Sequence, residues 1–135
     1  MAADLLALVA AVLLVIIAGA WAFEYAGYAP CELCLKQRWA HYAGVPFAAA
    51  LAVFNPRWIR SGLVLLGLVL VANCVFGIYH SGVEWKWWAG PATCSGGVVS
   101  DGLPDLSKPA VMCTEAALRI LGLSLAGWNA VVCAA

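Results

Sequence analysis

Hydrophobic positions in this chain come in long unbroken runs, not in the short alternations of an element with one face in water. Leu5 to Phe23 carries no charge between Asp4 and Glu24. Trp39 to Phe54 is charge-free up to Asn55-Pro56 and gains length when extended back to Cys34. Ser61 to Val83 lies uncharged between Arg60 and Glu84. About 20 apolar residues cross a hydrocarbon core about 30 Å thick, so the pattern predicts membrane-spanning helices near 5–23, 34–54 and 61–83. A fourth run, Ile120 to Ala135, reaches only about 24 Å at about 1.5 Å per residue. It reads as a helix, 120–135, that is apparently truncated. Ala18-Gly19-Ala20 resembles a signal cleavage site, but no Lys or Arg precedes the first run, which is long for a signal segment.

Composition agrees with the pattern. The chain has 135 residues, 65% hydrophobic and 10% charged, against about 25% charged in a soluble domain. So few charges cannot cover a water-exposed surface. The expected fold is a single all-α membrane domain, residues 1–135. It is a four-helix transmembrane bundle in antiparallel up-down order, because the links at 24–33 and 55–60 are short. The loop at 84–119 is long and rich in Gly, Pro and Ser. The first and third loops open on the same side, so Cys31, Cys34, Cys94 and Cys113 share one membrane face. Cys74 and Cys133 lie within spans.

A bare count of Lys and Arg puts that face in the cytoplasm, since Lys36, Arg38, Lys86, Lys108 and Arg119 outnumber Arg57 and Arg60. The rule weights short loops, however, and Arg57 and Arg60 are the charges of theirs. The long loop balances its cations with Glu84, Asp101, Asp105 and Glu115. Cysteine pairs also belong on an oxidising side. The cysteines are therefore expected on the outer face of the membrane that the chain crosses several times.

Cys31-Glu32-Leu33-Cys34 carries the chemistry. A C-x-x-C pair means thiol–disulfide exchange or a metal. Pro30 precedes it and helix-compatible residues follow, so the pair is expected to cap the second helix, whose N-terminus favours a thiolate. Arg38, four residues past Cys34, falls on the same helical face. It would hold the Cys34 thiolate or a developing oxyanion, or else be a snorkelling flank residue. Glu32 opposes ionisation of its neighbours. His41 reads as a packed or hydrogen-bonded helix residue and Asn73 as a contact between helices. Cys74 and Cys133 read as small apolar packers. Trp85, Trp87 and Trp88 suit a membrane-interface belt, and a short flat helix there would bring Cys94 toward the first loop.

The run P-C-E-L-C-x-x-x-R at 30–38, His80 closing the third span, "GVEWKWWAGPATC" and "CTEAALRILGLSLAGWN" together resemble the bacterial disulfide-bond-formation protein B (DsbB) family along nearly the whole chain. The resemblance implies a membrane thiol–disulfide oxidoreductase. Cys94 and Cys113 would be the loop pair presented to a soluble periplasmic thioredoxin-like oxidase of the DsbA type, Cys94 being the cysteine attacked and Cys113 the one released. Electrons would pass to Cys31 and Cys34, with Cys31 exchanging with the loop pair and Cys34 meeting a membrane quinone, ubiquinone or menaquinone. Arg38 and His80 would line the quinone site, His80 as proton donor or hydrogen-bond partner of a carbonyl. No metal and no nucleic-acid partner is expected.

Redox arithmetic explains why such a device sits in a bilayer. An oxidase of the DsbA type is poised near −120 mV, and structural disulfides lie near −300 mV. A gap of roughly 180 mV is about 8 kcal/mol uphill for two electrons, so a strong external acceptor must pull the reaction. An acceptor dissolved in the bilayer is reached only from a site in the bilayer. Two competing readings remain. One is a Cys₄ zinc centre, against which stands the wide spacing of Cys94 and Cys113. The other is a non-enzymatic tetraspan scaffold with structural disulfides. Enzymes of the vitamin-K-epoxide-reductase type share the ingredients but place the C-x-x-C late in the chain.

Overall fold

The computed structural model describes residues 2–53, 58–94 and 111–135. Among these, four helices form: α1 (Ala2–Tyr25), α2 (Glu32–Val53), α3 (Ile59–Glu84) and α4 (Leu125–Ala134). Phe54, Arg57 and the middle of the long loop, with Asp101, Asp105 and Lys108, lie outside the described residues. So do the parts of the loop-charge argument that rest on them.

Two of the helices, over Ala3–Tyr25 and Ile59–Glu84, are long and apolar enough to cross a membrane. α2 has the length, but Glu32, Lys36 and Arg38 crowd its first two turns. α4 covers ten residues. Large side chains such as Leu8, Val15, Val64, Leu68 and Val75 are more than half exposed along α1 and α3. A water-soluble fold does not display that much apolar surface.

Each helix packs antiparallel on the next in sequence. Arg38 near the start of α2 reaches Glu24 and Ala20 near the end of α1, while Leu6 at the start of α1 meets Ala48 and Leu51 near the end of α2. Leu66 of α3 joins that same cluster, and Leu33 meets Val83 at the opposite end. Asn73 contacts Asn129 and Cys133, and the backbone at Gly77 leaves space for Ala126 and Ala130 only because Gly77 has no side chain. Such small residues let two helix backbones approach closely.

The run assigned to a helix from residue 120 begins differently. Arg119–Ile120 (β1) and Leu123–Ser124 (β2) pair antiparallel, with Leu121 and Gly122 both at positive φ. Two successive positive-φ residues make the tight turn of a two-residue hairpin. Ser124 then caps α4, its Oγ accepting the Gly127 N–H at 3.1 Å. Helix α4 therefore starts at Leu125, five residues later than the hydrophobic run suggests.

The tryptophan segment is a turn, not the flat helix expected. Trp88 folds back over Gly82, where any Cβ would collide with the indole. It donates Nε1–H to the Tyr79 carbonyl at 2.8 Å and stacks on the Tyr79 ring at 6.1 Å. Lys86, at positive φ, turns the chain. A short 3₁₀ turn at Ala92–Cys94 then delivers Cys94 to Val83 and the head of α2.

Candidate active site

Cys31 stands immediately before α2 and caps it. Its carbonyl accepts the Leu35 N–H at 3.1 Å, and its Sγ accepts the Cys34 N–H at 3.3 Å. That second bond is the one a Ser or Asp side chain makes at a helix N-cap, here made by sulfur. The Cys31 and Cys34 sulfurs are 2.8 Å apart and share a hydrogen bond. His80 Nε2 lies 3.4 Å from Cys31 Sγ. The hydrogen bond from Cys34, the His80 contact and the Cys34 N–H hold the Cys31 thiol far below its ordinary 9.0, at about 5, although burial pushes it up.

Three polar contacts thus converge on the Cys31 sulfur, whereas the Arg38 spacing points to Cys34. Arg38 is engaged elsewhere. Its Nη1 donates to Glu24 Oε2 at 2.7 Å and its Nη2 to the Ala20 carbonyl at 3.4 Å, clamping α2 to the end of α1. Glu32 is drawn aside by Lys36 at 2.6 Å.

Cys94 and Cys113 form a disulfide, and both are buried against Cys31, Leu33 and Val83, with Cys34 at the margin of the cluster. Both cysteine pairs therefore meet at one end of the bundle. A four-thiolate zinc centre would need all four sulfurs free, and the disulfide takes two of them. The Cys31, Cys34 and His80 donor atoms lie within 4.8 Å of one another, a spacing that a dithiol beside a histidine gives without any metal.

In front of Cys31 and Cys34 is a cavity of about 260 Å³, walled by α1, α2 and α4 and closed at the cysteine end by Tyr28 to Cys31 and Glu84. α1 packs on α2, α2 on α3 and α3 on α4, which leaves the space between α1 and α4 for the cavity. Its walls are mainly apolar, among them Val15, Ile16, Phe23, Leu118, Leu125 and Val132. Gln37, Arg38, His41 and Asn129 supply polar groups. Two of these have unspent donors: Gln37 Nε2 and Asn129 Nδ2 are buried without a hydrogen-bond partner. A buried amide left unpaired is costly, so these are the groups to expect a polar ligand atom to meet.

His80 is fully buried and touches Cys31, but it is not among the cavity-lining residues. Its chemistry reaches the cavity only through a neighbour. Glu84, one helical turn on, is that neighbour: its Oε1 is 3.8 Å from His80 Nε2, and Glu84 lines the cavity. Neither Gln37 nor Glu84 stood out as a site residue in the sequence. Their spacing was available, because Gln37 follows Cys34 by three residues and Glu84 follows His80 by four, each putting the pair on one helical face.

Deeper in the bundle a second polar group forms. Asn73 Nδ2 donates to Asn129 Oδ1 at 3.4 Å and to Cys133 Sγ at 3.5 Å. His41 bonds the Gln37 carbonyl at 3.1 Å through Nδ1, and its Nε2 faces Cys133 at 3.9 Å. Cys74 donates to the Ala130 carbonyl at 3.3 Å.

Comparison with known proteins gives this geometry a family. An uncharacterized protein of Rickettsia prowazekii (strain Madrid E) is 26% identical over 110 residues, a match covering 76% of this chain and 63% of the relative. No solved structure matches the chain. The family model described as Disulfide bond formation protein DsbB matches residues 2–135. Two helices fit to cross a membrane, a C-x-x-C at a helix head and a disulfide packed against it accord with that match, and the chain belongs to the DsbB family of disulfide bond formation proteins.

Proposed function

We propose that this protein reoxidises a soluble, periplasmic, thioredoxin-like dithiol oxidase and passes the electron pair through two cysteine pairs to a membrane quinone. In this reading all four helices are embedded in the bacterial inner membrane, with both pairs on the periplasmic side. The observation that carries it is the contact of two cysteine pairs in one buried cluster, one a disulfide and the other opening on an apolar cavity.

The steps balance as successive exchanges. A partner thiolate attacks Cys94, the Cys94–Cys113 bond breaks, and Cys113 leaves as a thiolate. The partner's second thiol resolves the mixed disulfide, so the partner departs oxidised and the loop pair is left as a dithiol. One thiolate of that dithiol attacks Cys31, the sulfur that packs against it, so the Cys31–Cys34 bond breaks and Cys34 leaves; the second loop thiol then resolves the mixed disulfide, Cys31 leaves in turn, and the loop disulfide re-forms. Cys31 is a good leaving group because its thiolate is stabilised, and a low-pKa thiol leaves faster.

The cavity fits a quinone head. It is apolar, lies between two helices that would face lipid, and holds unspent amide donors at Gln37 and Asn129 with Arg38 beside them. A bound quinone would supply a two-electron acceptor. Gln37, Arg38 and Asn129 would hold its carbonyl oxygens, and Tyr28 to Cys31 would keep water from the sulfurs. His80, assigned to the quinone by the sequence, serves Cys31 in this reading.

The test uses the purified, detergent-solubilised protein with a reduced thioredoxin-like dithiol and a short-tailed quinone. One quinone should be consumed per partner disulfide formed. C94S should abolish oxidation of the partner while the Cys31–Cys34 pair still exchanges electrons with quinone. Absence of quinone consumption, or normal partner turnover by C94S, would overturn the proposal.

A further inference from the structure

Glu84 is an unusual residue to find where it is. Its side chain is 4% exposed, at the end of one of the two helices long and apolar enough to cross a membrane. One carboxylate oxygen, Oε2, has no hydrogen-bond partner. An ionisable group kept at such a depth is expensive and is by default a functional one. The groups facing it are His80 on its own helix, Cys31 ahead of α2, and Arg119 and Ser124 of the hairpin, Ser124 as a hydrogen-bond partner.

Proton accounting gives it a task. Oxidising the reduced Cys31–Cys34 pair forms one S–S bond and gives up two electrons, and two thiol protons have to be moved in all: the one Cys31 sheds as its thiolate forms and the one Cys34 still carries. A quinone becomes a quinol only by taking both electrons and both protons. Cys31 is 5% exposed, and His80, the base in contact with it, does not reach the cavity. Glu84 touches His80 with one oxygen and lines the cavity.

We propose that Glu84 carries protons from the dithiol to the cavity, taking a proton from His80 Nε2 at Oε1 and releasing it from the unpartnered Oε2. No bond of Glu84 itself changes apart from the O–H formed and broken. The 3.8 Å gap to His80 is longer than a hydrogen bond, and it closes by rotation of the glutamate side chain when His80 is protonated. Only the direction of transfer toward a quinone rests on the function proposed above; the protonation of Glu84 with the redox state of Cys31–Cys34 does not.

Infrared difference spectroscopy of the purified protein, cycled between dithiol and disulfide by chemical reagents without quinone, tests this directly. A carboxylic-acid carbonyl band should appear or vanish with the redox state, be absent in E84Q and be displaced in E84D. In the quinone assay E84Q should slow quinone reduction at least tenfold, E84D should recover part of the rate, and thiol exchange between the partner and Cys94–Cys113 should be unaffected. A wild-type spectrum silent in the carboxyl region overturns the proposal, as does an E84Q protein that reduces quinone at the wild-type rate. A redox-linked carboxyl band in a protein that reduces no quinone would instead sink the function proposed above and leave the proton role of Glu84 standing. Should E84Q fail to fold, the wild-type and E84D spectra decide alone.

Discussion

Two cysteine–histidine contacts stand in the same bundle, and only one is built for chemistry. At the outer cluster, Cys31 lies 3.4 Å from His80. In the helix interior, Cys133 lies 3.9 Å from His41. The residue types match and both histidines are buried. The difference is what else points at the sulfur. Cys31 precedes its helix, so a free backbone N–H and the Cys34 thiol converge on it. Cys133 sits in the last turn of α4, where backbone N–H groups are already spent on carbonyls, and its polar neighbours are two neutral amides, Asn73 donating to its sulfur at 3.5 Å and Asn129 Oδ1 accepting from it at 3.7 Å. A helix N-terminus makes a nucleophile of a cysteine; a helix interior makes a packing residue of it.

The largest test of that contrast is replacement of each sulfur. Cys31→Ser should reduce turnover to background, because the exchange needs a sulfur that forms and releases a disulfide. Cys133→Ser should leave turnover within about a factor of two, since a hydroxyl keeps the hydrogen bonds and little volume changes. A Cys133→Ser enzyme as inactive as Cys31→Ser would break the comparison.

The pH dependence of alkylation sharpens it. The thiolate is the reactive form, and Cys31 titrates at about 5, against about 8.5 for a free cysteine. Alkylation of Cys31 in the reduced protein, read by mass spectrometry, should therefore stay nearly constant from pH 8 down to pH 6 and fall by half near pH 5. His80→Ala should move that midpoint upward. A midpoint near that of a free cysteine would remove the electrostatic basis for choosing Cys31 over Cys34.

Arg38 tests the boundary between the two regions. Losing a charged hydrogen bond costs roughly 1.5–3 kcal/mol, or about ten- to a hundredfold. Arg38→Met should raise the quinone KM by that order while Cys31 alkylation is unaltered. Arg38→Lys should recover part, a point charge replacing a fork. If KM is unchanged and only the melting temperature drops, Arg38 serves as the α1–α2 clamp to Glu24 and nothing more.

The parts legible in the sequence were those set by long-range composition or by a short spacing. Charge-free runs fall inside α1 and α3, one to three residues short at each end, and Pro30 with the C-x-x-C marks the head of α2. What escaped depended on three-dimensional closure. In "LRILGLSL" the turn signal is Gly122, and an isolated Gly inside an apolar run is also tolerated in a helix, so a hairpin turn at Leu121-Gly122 is not separable there from the first turns of an apolar helix. The fold-back of Trp88 over Gly82 needs the partner surface to exist before it can be read. The Glu24 contact of Arg38 is hidden for a similar reason. Helical spacing says which face of α2 it shares, but not that Glu24 lies within 2.7 Å across the α1–α2 turn.

The smallest effect is expected in the interior, and it decides whether that region is mechanical. Asn73 joins α3 to α4 through Asn129 and Cys133. Hydrogen bonds between helices in a bilayer are worth about 0.6–2 kcal/mol each, so Asn73→Leu should lower the melting temperature in detergent modestly. A double-mutant cycle of Asn73→Leu with Cys133→Ala should return a coupling energy of the same order, as contacting residues do. Quinone kinetics should shift by no more than about threefold, because Asn73 is not among the cavity-lining residues and acts only by fixing the Asn129 amide. The opposite pattern, full stability with quinone reduction lost, would make the interior cluster part of the electron or proton path. The two cysteine–histidine contacts would then differ in degree and not in kind.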